Sequence, residues 1–136
     1  MSKSTNVTPG EAGQPDADDL EKLMIAAAAA SERKALEMVA IDIRKIASFA
    51  EYFLVCSGTS TRQVQAIADE VMEKLRQERD ARPLHTEGYE TATWILLDYG
   101  DLIVHVFTED SRQFYQLERL WRDAERVELP DEITKQ

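Results

Sequence analysis

The segment from Thr93 to Thr108, TWILLDYGDLIVHVFT, constrains the fold more than any other stretch of the chain. Two runs of large and β-branched apolar residues flank Tyr99-Gly100, where glycine supplies the positive φ that tight hairpin turns demand. Strands joined so tightly run antiparallel. A two-residue loop at Tyr99 and Gly100 sets Asp98 opposite Asp101, Leu97 opposite Leu102, Leu96 opposite Ile103, Ile95 opposite Val104 and Trp94 opposite His105. Alternation then collects Ile95, Leu97, Leu102, Val104 and Val106 on one wholly apolar face suited to burial under a helix. The other face carries Trp94, Leu96, Asp98, Asp101, Ile103 and His105. An aromatic anchor with paired carboxylates is the composition of a protein-binding surface, because tryptophan is enriched among interface hot spots and carboxylates can meet Lys or Arg of a basic partner. The alternative is that this face lies under further helices, with His105 hydrogen-bonded and the two aspartates flanking a solvated turn.

Upstream, Tyr52 to Ser57 is an apolar run short enough for a central strand, and Leu36 to Ile43 has β-branched, apolar character. Leu20, Leu23, Met24 and Ala27 recur at helical spacing behind an Asp18/Glu21 capping box, which predicts a helix over 19–34. Ala26 to Ala30 raise its propensity and permit close packing. Ser60 with Gln63 can cap a second helix, in which Val64, Ile67, Ala68, Val71, Met72 and Leu75 form one apolar stripe. Arg82 to Gly88 fits a short strand and an extended loop equally. A last helix is predicted from Ser111 to about Ala124, packing through Phe114, Leu117, Leu120 and Trp121, and the polar stretch from Val127 to Gln136 is expected to fray. Helices interleaved with strands predict an α/β (α+β) fold with a mixed sheet flanked by helices. Residues 1–15, nearly free of bulky apolar side chains, cannot offset the entropy of ordering and are expected to be a disordered tail. Residues 16–124 are expected to form the domain, with 125–136 a polar C-terminal extension.

Charge narrows the function. Against 26 acidic side chains there are 16 basic ones, a net charge of −10, and the basic residues form no stripe. Phosphate neutralisation needs clustered Lys and Arg, so direct nucleic-acid binding is not expected, whereas basic protein partners are favoured. The single Cys56, set in Phe53-Leu54-Val55-Cys56, reads as a small buried hydrophobe of a reducing compartment. The apolar run from Leu23 to Ala30 is too short to span a bilayer and follows acids instead of a basic leader, so cytoplasmic residence is expected.

Candidate chemistry is sparse. Gly58-Thr59-Ser60, between a strand and a helix, can bind phosphate or serve as turn and cap. A nucleotidyltransferase would also need grouped carboxylates for Mg²⁺, and Asp98 and Asp101 flank a turn instead. His85, His105 and one cysteine make no zinc pattern. Ser57 and Ser60 lack a nucleophile elbow and read as local hydrogen-bonding groups. Arg112, Arg119, Arg122 and Arg126, interrupted by acids, read as a solvated, ion-paired face.

Taken in order, Asp42-Ile43, the run from Cys56 to Arg62, Ile67-Ala68-Asp69, Glu87-Gly88, the run from Trp94 to Phe107 and the run from Tyr115 to Trp121 resemble the Iojap-like (RsfS) family of ribosomal silencing factors. The resemblance covers roughly residues 20–122, and the hairpin is its most specific part. It implies a nucleotidyltransferase-like α/β domain without the catalytic set, commonly a homodimer, that acts without cofactor or metal. It further implies a partner, the fourteenth protein of the large ribosomal subunit. Occupying that protein blocks joining of the small subunit and represses translation, and members are also linked to large-subunit biogenesis. Carried over by position, the implied contact set is Glu87, Gly88, Trp94, Asp98, Tyr99 and Asp101.

Overall fold

Local hydrogen-bonding and alternation build a sheet with helices on both sides, in a computed structural model that describes residues 17–115, 119, 122 and 124–134. The expected tail at 1–15, Leu117, Leu120 and Trp121 lie outside those residues, and the Phe114 side chain is likewise outside what is described. In chain order the elements are α1 (Ala17–Glu32), β1 (Leu36–Asp42), β2 (Tyr52–Gly58), α2 (Thr61–Arg79), β3 (His85–Glu87), β4 (Trp94–Asp98), β5 (Leu102–Thr108), α3 (Glu109–Tyr115), β6 (Glu125–Val127) and α4 (Asp131–Thr134). The strands form one sheet in the order β3-β4-β5-β2-β1-β6. Among the described residues only the central pair, β2 with β5, is parallel. The mixed sheet flanked by helices is therefore as expected, and Arg82 to Gly88 resolves to a three-residue edge strand.

Burial follows position in the sheet. All seven residues of β2 are buried, as a strand covered on both faces requires, whereas β4 alternates between half-buried and buried. Helices α1 and α2 lie on one face. There Leu23, Ala26, Ala27, Ala30, Val64, Ile67, Val71 and Leu75 meet Leu54, Ile95, Leu97, Leu102, Val104 and Val106 in a single core. Each fully buried Leu, Ile or Val contributes about 1.5–3 kcal/mol. The alanines of α1 let it approach closely enough to close this layer. On the opposite face Ile43, Ala50 and Phe53 pack with Val55, Ile103 and Phe107 in a smaller cluster.

Two expectations about the sheet are corrected. The hairpin pairs Trp94 with Phe107, Ile95 with Val106, Leu96 with His105, Leu97 with Val104 and Asp98 with Ile103. The turn residues are Gly100 and Asp101, with the Tyr99 N–H donating to the Leu102 carbonyl at 2.8 Å. Gly100 has φ +92°, and the first central position of a type II′ turn is where a glycine with positive φ belongs. Every partner thus moves by two residues, which leaves each side chain of β4 and β5 on its expected face because the pleat also repeats every two, while Asp101 passes from the strand into the turn. The second correction concerns the C-terminus. Instead of fraying, Glu125–Val127 pairs antiparallel with β1. Ile133 is buried in the α1/α2 core, and the Ser31 hydroxyl donates to its carbonyl at 2.8 Å.

Smaller departures have local causes. Helix α1 begins at Ala17, so Asp18 and Asp19 occupy its first turn, where the Asp18 carboxylate favours the helix dipole. Arg112, read as solvated, is buried and donates from Nη1 to the Ser57 hydroxyl at 2.9 Å. Cys56 is fully buried, and burial pushes its thiol up to about 12, which removes it as a nucleophile.

Candidate functional site

The informative surface is the part of the sheet turned away from α1 and α2, at the β3–β4 end. Cross-strand partners share a face, so the pairing of His85 with Asp98 and of Glu87 with Leu96 puts these four side chains on one side. Trp94 joins them, two residues along β4. Its ring stacks on Phe107 with centroids 5.0 Å apart and planes at 26°, and its Nε1–H donates to His105 Nδ1 at 3.1 Å. Trp94, Leu96 and Asp98 remain half-buried. Glu87 and His85 are exposed and 2.7 Å apart.

Gly88 sets the path by which the chain enters β4. It has φ +78°, and a Cβ there would stand 2.1 Å from the Trp94 carbonyl oxygen. The Ala92 N–H donates to the Gly88 carbonyl at 2.8 Å, closing a short loop directly before Trp94. Only glycine allows this approach.

The remaining two positions lie elsewhere. Tyr99 is buried in the α1/α2 core, and burial pushes its phenol up to about 12. Asp101 accepts from Lys22 Nζ of α1 at 3.3 Å. It sits with Asp19 and Glu51, an acid grouping drawn from three separate stretches of chain. Burial, then hydrogen bonds with Asp101 and Glu51, raise Asp19 to about 9, so Asp19 keeps its proton at neutral pH. Burial opposes ionisation of Asp101 as well, but the Asp19 hydrogen bond and the Lys22 ammonium outweigh it and hold that carboxyl below its ordinary range. The expected pairing of Asp98 with Asp101 on one face is therefore corrected: the turn separates them. Asp98 instead accepts from the Gly100 N–H at 2.8 Å.

His105 is buried, and desolvation lowers it to about 4, so it is neutral. An indole N–H can only donate, which assigns the lone pair to Nδ1 and the proton to Nε2. That Nε2 takes no hydrogen-bond partner among the described residues. Sequence reading placed His105 on the right face, opposite Trp94, with a hydrogen-bonded His105 as one alternative; in the structure His105 pairs with Leu96 and its bond to Trp94 runs diagonally across the two strands.

The Gly58-Thr59-Ser60 turn is built as a cap. The Ser60 hydroxyl accepts from the Gln63 N–H at 3.1 Å, and the Gln63 side chain accepts from the Thr59 N–H at 2.6 Å. The same amide donates to the carbonyls of Arg33 and Lys34 at 3.0 and 3.1 Å, tying α2 to the end of α1. In the parallel pair Tyr52 lies beside Leu102 and Gly58 beside Thr108. The turn therefore follows the C-terminal ends of these strands, while Asp98 and Asp101 precede their N-terminal ends, a separation of about 20 Å at about 3.3 Å per residue. Those acids cannot share a metal with a nucleotide held at the turn.

These features define an α/β domain whose distinguishing surface is a tryptophan-bearing, acid-flanked sheet face. The family model described as "Ribosomal silencing factor during starvation" matches residues 16–136, and the chain belongs to that family. A ribosomal silencing factor RsfS of Halalkalibacterium halodurans is 46% identical over 114 residues, covering 84% of this chain and 97% of that protein. A crystal structure of a Chromobacterium violaceum protein superposes with a TM-score of 0.73 at 31% identity, covering 81% of this chain and 90% of that one. A mouse protein named "Mitochondrial assembly of ribosomal large subunit protein 1" is 28% identical over 92 residues, covering 66% of this chain and 40% of that protein.

Proposed function

We propose that this chain silences ribosomes by steric occupation: it docks on the fourteenth protein of the large subunit, keeps the small subunit from joining and so represses translation, with no reaction taking place. Membership of the silencing-factor family supports the role, and the mouse relative's name supports the large subunit as its setting. The observation that carries the docking reading is the half-buried Trp94 at the exposed end of the sheet, flanked on its own face by Glu87 and Asp98. An aromatic anchor offers large apolar area, and adjacent carboxylates complement a basic protein. Within the implied contact set Glu87, Trp94 and Asp98 present side chains, whereas Gly88, Tyr99 and Asp101 shape the loop and turn that hold them. The domain works in the cytoplasm, and the free protein is a homodimer.

The test is co-sedimentation with purified large subunits, followed by addition of small subunits and separation of joined ribosomes on a gradient. Wild-type protein should travel with the large subunit and reduce the joined fraction. Trp94→Ala should weaken binding by about 2 kcal/mol, roughly thirtyfold in Kd. A folded Trp94→Ala protein that binds as tightly as wild type removes Trp94 from the interface, and wild-type protein that binds without lowering the joined fraction removes the blocking mechanism.

A further inference from the structure

We infer that His105 is a positioning residue for the docking surface, holding the Trp94 indole at a fixed angle through its unprotonated Nδ1. This rests on the docking reading above and adds to it a buried group that touches no partner.

The geometry constrains both rings. His105 sits in the middle of β5, paired with Leu96 on one side and Val55 on the other. Its ring lies 4.6 Å from that of Phe53 and 6.3 Å from that of Phe107, so packing from two strands limits its rotation. Trp94 is held from two directions by the described residues. Stacking on Phe107 sets the plane of the indole. The Nε1–H to Nδ1 bond at 3.1 Å fixes the direction in which its polar edge points.

The cost of the arrangement argues in the same direction. Accepting from an indole forces the imidazole proton onto Nε2, which is buried without a hydrogen-bond partner among the described residues. A buried polar group left unpaired is destabilising, and an apolar ring between Phe53 and Phe107 would avoid this. What the histidine adds over phenylalanine is an acceptor aimed at Trp94.

Two substitutions separate the acceptor from the packing. His105→Phe keeps a ring between its neighbours and removes the acceptor. His105→Asn loses the ring but puts a carbonyl oxygen close to the position of Nδ1. The readouts are solvent exchange of the Trp94 indole N–H by NMR, assigned by loss of its resonance in Trp94→Phe, and affinity for purified large subunits. The indole N–H should exchange slowly in wild type and His105→Asn, and fast in His105→Phe. Affinity should fall about tenfold in His105→Phe, where the indole is no longer held in its docking orientation before binding, and within about threefold in His105→Asn. Fast exchange in the wild-type protein overturns the inference without need of any variant. So does wild-type affinity in a folded His105→Phe protein when Trp94→Ala binds weakly. If Trp94→Ala itself binds normally the docking reading fails, while the exchange measurement still decides whether His105 holds the indole.

Discussion

Acid should unfold this protein partly through one buried imidazole. His105 titrates near about 6.5 in an unfolded chain but is lowered to about 4 in the fold, with burial as the cause. A depressed histidine binds its proton in the unfolded state first, so its stabilising contribution is complete above about pH 6.5 and declines as pH falls towards 4. Over the whole window the loss is about 3 kcal/mol, from a shift of about 2.5 units at 1.36 kcal/mol each. Half of that window is usable, because the isoelectric point near 4.6 invites precipitation lower down. Between about pH 7.5 and about pH 5 the same relation gives about 2 kcal/mol. Asp19 works the other way. Its raised carboxyl makes the fold more stable as pH drops from 9 towards 4, so the total stability of the wild type conceals the histidine. Urea unfolding of wild type and His105→Asn at each pH removes this background, because asparagine does not titrate and Asp19 is common to both proteins. The stability difference, wild type minus variant, should shrink by about 2 kcal/mol from about pH 7.5 to about pH 5. A difference that stays constant within about 0.5 kcal/mol refutes the claim that His105 is buried neutral.

Gly88→Ala combines a positive φ with a Cβ placed against the Trp94 carbonyl, so it should cost about 2 kcal/mol or more in urea unfolding. It should also weaken large-subunit binding, as it moves the start of β4. Gln63→Ala should cost about 1–2 kcal/mol by removing bonds at both the α2 cap and the α1 terminus, with large-subunit affinity unchanged. Asp98→Lys should weaken large-subunit binding at least about tenfold in a titration, whereas Asp101→Lys, on the α1 side beside Lys22, should change it less than about threefold.

How much of this could be read from residues alone depended on how far apart the interacting groups lie. The hairpin faces were legible although the register was not, because an error of two residues preserves alternation. Leu97 and Leu102 both went correctly to the helix side. The stripe of α2 and the Ser60 cap were legible because their partners lie within one or two turns. Arg112 was not, since the Ser57 hydroxyl that takes it inside is 55 residues away. The C-terminal segment misled because Val127, Leu129 and Ile133 are thinly spaced among charges. Their burial depends on an open β1 edge and on the α1/α2 core surface, which no local pattern announces. The acid grouping of Asp19, Glu51 and Asp101 was hidden for the same reason.

The displaced turn also changes what the candidate surface is. With Tyr99 and Gly100 at the tip, Asp98 and Asp101 would have faced each other as a paired acidic end to the docking face. With Gly100 and Asp101 at the tip, the pair divides: Asp101 turns towards α1, where Lys22 and protonated Asp19 satisfy it, and Tyr99 enters the core behind it. The charge offered outward then comes from Asp98 and from Glu87, which reaches the same face only because β3 pairs in register with β4. The short edge strand, read beforehand as strand or loop, is thus what supplies the second carboxylate beside Trp94. Its own placement depends on Gly88, so one glycine both admits the tryptophan and ends the strand that gives it an acidic neighbour.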